Sequence, residues 1–377
     1  MNKKRLLLFI SDSDFSQDSV NKYISENYIN FDIVVSDKWH LKHYDHINDN
    51  YVNDRALLVI TGKLENQKKN DLIMFLYNQL FVYIFNFVKL LFKKKPNIVI
   101  VNGYILPIFS GIYCSIFKCK SYYVCADWFV GLNKNEDHWL SKISNNKIFP
   151  LLDRLSCFFS SGVINYHELI GEKRREYHGK EIAKESYVYQ FTLVKKYTIH
   201  NANKYVIFIG NVRYDSGLDI IINAIHGYNE SCHRNIKLRI IGRENEAVKL
   251  LMDYVNQRSL NSCVEFMGYQ PREDFSKLFK DVFCGVNLIT SKNSYTTYTL
   301  PGKVFDYIQY GIPILASKNI GTVAQIIKEK RIGVISDIDY KSLIGSIDML
   351  DKNFSELSYN IDEYITHKKF NKDKYPI

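Results

Sequence analysis

The chain has 377 residues, 46% apolar and 24% charged, proportions ordinary for a globular protein and long enough for two domains with separate cores. Lys+Arg 50 against Asp+Glu 40 gives a net charge of +10, which favours anionic partners such as nucleotide phosphates, phospholipid head groups or nucleic acid, part of the excess being a solvated lysine surface. The seven cysteines (114, 119, 125, 157, 232, 263 and 284) lack paired metal spacing and read as reduced core residues of a cytosolic protein.

Met1 to Ile10 joins a basic start to an apolar run and so imitates a signal peptide. Leu6 to Ile10 is too short for that and leads into Ser11-Asp12-Ser13-Asp14 without a small-residue cleavage site. It is read as the first strand of an α/β domain. Asp12, Ser13 and Asp14 suit a helix N-cap in the next loop first, and contact with an acceptor second. Apolar runs at Ile33 to Val35, Leu57 to Ile60, Ile98 to Val101, Ser121 to Cys125 and Gly162 to Ile164 alternate with helix-like stretches, the order of a largely parallel sheet.

Leu72 to Phe92 is dense in Phe, Tyr, Leu and Ile and ends in Lys93-Lys94-Lys95. Its length admits a membrane span, but Asn78, Gln79, Asn86 and Lys89 interrupt it and Pro96 leads straight into a strand. Two compatible readings follow: a helix covering the sheet with a solvated lysine tip, and an aromatic and basic side docked on an anionic cytoplasmic leaflet. Asp127, with Trp128 and Phe129, follows the strand ending at Cys125. It is placed either to contact an acceptor, with the aromatics stacked on a sugar face, or to cap the next helix. His138 and His167 lie near apolar residues and read as structural.

The polar region Glu172 to Glu185 and a hinge near 190–203 precede a second alternating set. Val206 to Ile209 is followed by a loop with Gly210, Asn211, Arg213, Ser216 and Gly217. Leu238 to Ile241 leads to Gly242-Arg243, and Val264 to Gly268 leads to Tyr269-Gln270. Taken singly, these glycines close strand-to-helix turns, Arg243 is a surface residue and Tyr269 fits a core. Taken together, every loop follows the C-terminal end of a strand, so all face one crevice.

The most informative segment is Tyr298-Thr299-Leu300-Pro301-Gly302-Lys303-Val304-Phe305-Asp306-Tyr307, closed by Gly311 and followed by the apolar strand Pro313 to Ser317. Pro301 suits a first helical turn, Gly302 lets a ligand approach the backbone, and Lys303 adds a charge beside unsatisfied amides, so a phosphate is expected there. Asp306, three residues later on the same face, is placed to accept from a ribose.

These residues resemble the proline, lysine, acidic-Tyr and Gly-x-Pro run of bacterial family 4 glycosyltransferases of the GT-B fold. The segments Val206 to Asp219, Leu238 to Gly242 and Val264 to Tyr269 are similar to the strands and loops of that family's donor domain, in matching order over roughly 203 to 350. Departures accompany the match. Where many members carry an arginine after the first glycine and a lysine before the second, this chain has Asn211 and Ser216, leaving Arg213 as the substitute cation. Of two glutamates eight positions apart, the later falls on Asp306 and the earlier on Tyr298.

The resemblance implies an α/β GT-B architecture with two Rossmann-like domains facing a central cleft. The expected parts are an acceptor-binding domain over 1–196, a nucleotide-sugar domain over 197–355, and a C-terminal helix at 356–377 returning to the first domain. It implies a retaining, metal-independent glycosyltransferase without a cofactor, using a UDP-sugar in preference to a GDP-sugar. Its acceptor would be a lipid-linked saccharide of capsule or O-antigen assembly, met at the inner face of the cytoplasmic membrane, with no nucleic acid partner. Lys303, Arg213 and Asp127 are the expected catalytic residues. The expected donor contacts are Gly210, Asn211, Ser216, Gly217, Arg243, Tyr269, Gln270, Tyr298, Thr299, Leu300, Pro301, Gly302, Val304 and Asp306. Asp12, Ser13, Asp14 and Trp128 are the expected acceptor contacts. The Asp12-Ser13-Asp14 triplet also resembles the metal motif of unrelated GT-A enzymes, although there it follows a nucleotide-binding region rather than a first strand. A non-hydrolysing nucleotide-sugar epimerase is the alternative enzyme, and an inactive nucleotide-sugar-binding partner subunit the alternative outside enzymes.

Overall fold

The computed structural model describes the backbone of residues 7–11, 31–37 and 40–44, most of 84–125, Trp128, 147–182, 186–188 and 204–367. The expected strand at Leu57 to Ile60, Asp12 to Asp14, Asp127, His138 and the whole expected hinge lie outside the described residues. The chain divides into two units between Phe191 and Thr192.

In the first unit the described strands are β1 (Leu7–Ser11), β2 (Phe31–Asp37), β3 (His40–Tyr44), β4 (Ile98–Asn102), β5 (Lys120–Cys125), β6 (Gly162–Asn165) and β7 (Ser186–Val188). They form one sheet in the order β3-β2-β1-β4-β5-β6-β7. Every pair is parallel except β2 with the edge strand β3. The apolar runs that form β4 and β5 are buried on both faces, as strands of a covered parallel sheet must be. Helices α1 (Leu106–Phe117), α2 (Phe149–Phe159) and α3 (Glu168–His178) connect them. The core under α1 joins Phe87, Leu91, Val99, Val101, Leu106 and Tyr113.

The second unit is a complete Rossmann-like module. Its strands are β8 (Tyr205–Ile209), β9 (Lys237–Ile241), β10 (Val264–Gly268), β11 (Val282–Asn287), β12 (Ile314–Ser317) and β13 (Gly333–Ser336). They are all parallel, in the order β10-β9-β8-β11-β12-β13. From β8 the strand order runs outward one way through β9 and β10 and the other way through β11, β12 and β13, and the switch point at the C-terminal ends of β8 and β11 is where such sheets hold ligands. The helices are α4 (Leu218–Cys232), α5 (Glu246–Gln257), α6 (Phe275–Leu278), α7 (Ser294–Tyr298), α8 (Lys303–Gln309), α9 (Gly321–Lys330), α10 (Tyr340–Lys352) and α11 (Phe354–His367). On α4, Leu218, Ile221, Ile222 and Ile225 repeat at helical spacing and bury into one core with Phe208, Leu238, Phe283, Cys284 and Val286. The last described helix, α11, packs on α8, α9 and α10 within this unit, while 368–377, where the expected return to the first domain would end, lie outside the described residues.

Candidate functional site

The site grows from the end of β8. Its pairing with β11 runs only from Tyr205↔Val282 to Ile207↔Gly285. Beyond that point the buried hydroxyl of Tyr307, from α8, takes over: it accepts from the Ile209 N–H at 3.2 Å and lies 3.1 Å from the Val286 carbonyl, to which it donates. The ring rests on Gly285, where a Cβ would lie 2.5 Å from it. Tyr307 thus pins α8 to both central strands at the switch point, and satisfies backbone groups that the ladder leaves over.

The loops beyond the strands are tied to one another. Gly210, at φ +115°, turns the chain out of β8 with open space where a side chain would stand. Its carbonyl lies where a Cβ on Gly242 would come to 2.2 Å, so the β9 loop approaches it closely. Asn245, the N-cap of α5, donates to Asn211 Oδ1 at 2.7 Å and to the Val212 carbonyl at 2.9 Å. Asp215 accepts at its carbonyl from the Thr290 N–H at 2.8 Å and at Oδ2 from the Ser291 hydroxyl at 2.5 Å. Asn293 and Thr296 then form a reciprocal capping box at the start of α7. The loops after β8, β9 and β11 are therefore mutually braced, which preorganises what they present.

Lys303 is the charged centre of this arrangement. Partly buried at the start of α8, its Nζ lies 3.9 Å from the centroid of the Phe208 ring. Desolvation, reinforced by the positive charge of Arg213, lowers its pKa from 10.5 to about 7. Among the described residues Lys303 has no carboxylate in ion-pair reach, and the amides of Gly302 and Lys303 have no acceptor. Arg213 closes its fork on Asp215, with Nε–Oδ1 and Nη2–Oδ2 both at 2.9 Å. Lys303 and the two open amides thus stand at the topological switch point beside an Arg213 whose fork is engaged by Asp215.

The other expected residues are placed unequally. Helix α8 begins at Lys303, with Gly302 at its cap and Pro301 before it, and ends ahead of Gly311 at φ +70°. The Val304 side chain is buried and its amide donates to the Pro301 carbonyl at 3.1 Å. Leu300 is likewise buried. Ser216 is also buried, its Oγ accepting from the Arg213 N–H at 2.9 Å, while Gly217 at φ +60° completes that turn. Thr299 is buried and its carbonyl accepts from the Thr322 hydroxyl; Tyr298, at the end of α7, is partly exposed. Asp306, also buried, meets Arg272 Nη2 at 3.4 Å, a partner 34 residues away that the motif does not reveal. Arg243 stacks over the exposed Tyr269 ring at 5.3 Å, and Gln270 donates to the Met267 carbonyl at 2.6 Å. Asn287, at the end of β11, is buried, and neither polar side-chain atom has a partner among the described residues.

In the first unit Trp128, an expected acceptor contact, is fully buried in T-shaped contact with Phe149, Tyr177 and His178. Beside it lies a buried polar network that sequence reasoning missed. Asp153 accepts from Tyr123 at 2.6 Å, from Arg174 Nε at 3.1 Å and meets His178 Nε2 at 2.9 Å; Arg174 also donates to Asn165. Burial pushes the Asp153 carboxyl up, yet Arg174, His178 and Tyr123 together hold it below the usual carboxylate range.

Residues 190–367 match the model of the family described as Glycosyl transferases group 1. Comparison with curated protein sequences gives no match. Solved structures agree over nearly the whole chain. HepE from Anabaena in complex with UDP superposes with a TM-score of 0.61 at 12% identity, covering 96% of this chain and 94% of that one. Sucrose-phosphate synthase from Thermosynechococcus elongatus gives 0.68 at 12% identity over 96% and 94%. The lipopolysaccharide outer core galactosyltransferase WaaB in its apo form gives 0.59 at 13% identity over 96% of each chain. The fold is GT-B, with two Rossmann-like domains, and the family match over the second unit supports a glycosyltransferase.

Proposed function

We propose that the chain is a retaining glycosyltransferase that takes a sugar from a nucleoside diphosphate, UDP in preference to GDP, and transfers it to a lipid-linked saccharide. The setting we assign is cell-surface polysaccharide assembly, of capsule or O-antigen type, at the inner face of the cytoplasmic membrane. The observation that carries the donor half is Lys303, a desolvated ammonium without a carboxylate partner among the described residues, beside Arg213 and two open amides. A diphosphate supplies the missing negative charge. As the glycosidic bond breaks, charge grows on the departing phosphate, and these fixed donors stabilise it without reorganising. In this reading Lys303 and Arg213 carry the electrostatic role and no metal is required.

The long Asp306–Arg272 contact of 3.4 Å is one that ribose hydroxyls can join or replace. The acceptor half is supported by the shared fold of a lipopolysaccharide galactosyltransferase. The test is calorimetric titration with UDP, followed by turnover of a panel of UDP-sugars. Lys303→Ala is expected to weaken UDP binding by about tenfold or more, the scale of one charge-assisted contact. Unchanged affinity overturns the donor site. Sugar interconversion without acceptor would mark an epimerase, and binding without turnover of any donor a partner subunit.

A further inference from the structure

We infer that the face of the first unit formed by helical residues within 84–93 together with α1 and α2 is a docking surface for an anionic phospholipid bilayer. The three segments are contiguous. The Phe92 ring meets Tyr113 and Phe117 of α1 edge-on at 5.3 and 5.5 Å, and a Cβ on Gly111 of α1 would come to 2.4 Å from the Phe159 carbonyl at the end of α2. Large apolar side chains stand out from all three. Phe92, Ile116, Phe117, Leu151 and Phe158 are half to two-thirds exposed, from 51% at Phe117 to 67% at Ile116. Isolated exposed apolar residues are normal on a protein surface, but a run across adjacent helices is a contact surface.

Charge identifies the occupant. Between Asp71 and Asp127 the sequence holds six lysines and no aspartate or glutamate. Lys93, Lys95, Lys118 and Lys147 are exposed beside the apolar residues, and Arg154 falls between Leu151 and Phe158 at helical spacing on α2. Asp153, the acid of α2, is buried under Arg174 and His178. A second copy of this chain would set lysines against lysines with no carboxylate to receive them, which disfavours pairing. A bilayer with anionic head groups meets both features, attracting the lysines while the rings and aliphatic chains enter the interfacial layer. Among the described residues no helix is long and apolar enough to cross a membrane, so the contact is with the surface.

This inference stands apart from the donor site, which lies in the second unit, and its test separates the two. The full chain is sedimented with vesicles of phosphatidylcholine alone and of equal parts phosphatidylcholine and phosphatidylglycerol. Binding is expected to the anionic vesicles, at least about tenfold tighter than to the neutral ones, and to weaken as salt is raised. The double variants Ile116→Ser/Phe158→Ser and Lys93→Glu/Lys118→Glu are each expected to lose about tenfold. Unchanged thermal unfolding serves as the check on folding, and UDP titration as the check on the other unit. Equal binding to both vesicles, binding to neither, or full binding by both variants overturns the inference. So does concentration-dependent self-association that Ile116→Ser/Phe158→Ser abolishes, which would give the face to a second copy.

Discussion

Raising the pH from about 7 to about 9 is expected to weaken the binding of a UDP-sugar about fifty-fold, because the free protein must recharge Lys303 before it can hold the diphosphate. With a pKa near 7, down from 10.5, the ammonium is roughly half formed at pH 7 and about one part in a hundred at pH 9. The doubly esterified diphosphate does not titrate across that range and the uracil N3–H begins to do so only at its upper end, so the slope over the lower part of the range reports the lysine. Titration calorimetry in buffers of differing ionisation enthalpy at about pH 8 should record uptake of close to one proton per ligand bound. Lys303→Arg, charged at every pH, should flatten the profile. A flat profile in the native protein, with no buffer-dependent heat, would show that Lys303 does not meet the phosphates.

Four further outcomes follow from the same geometry. The unfolded chain holds more protons on Lys303 than the native one between about pH 7 and 10.5, so the native state is penalised in full below about 7 and progressively less as pH rises. Lys303→Met should therefore stabilise the ligand-free protein by a few kcal/mol at about pH 6 and hardly at all near 10.5, read from urea unfolding. Tyr307→Phe leaves the buried Ile209 N–H without its acceptor and should lower stability by about 1–3 kcal/mol. Asn287→Leu replaces a buried amide unpartnered among the described residues by an apolar chain of the same branching, and should raise stability by about 1 kcal/mol where the neighbours take up its larger volume. Asp153→Asn strands the buried Arg174 charge and should cost about 3–5 kcal/mol, measured by the same unfolding transition.

The features legible in the sequence were those that short stretches determine. Strands β4, β5, β8, β9 and β12 are apolar runs, and the Gly210 and Gly217 turns follow from local backbone needs. What escaped depends on residues far apart in the chain. Trp128 follows a strand end and looks available, but Phe149 and His178 bury it. Asp306 looks free for a ribose until Arg272 is brought to it. Tyr307 reads as one more helical aromatic, and its bridging of β8 and β11 emerges only once residues about a hundred positions apart meet. The central strand β11 carries its own signal, an apolar run from Val282 to Val286, but it lacks a flanking motif. The edge strands β3 and β7 are short and largely polar and give none.

The most direct measurement is a crystal structure of the protein soaked with UDP. The diphosphate is expected against the Gly302 and Lys303 amides, with the Lys303 ammonium and the Arg213 guanidinium on its oxygens and the ribose beside Asp306. A nucleotide bound away from the C-terminal ends of β8 and β11, with Lys303 left as it stands, would contradict that placement.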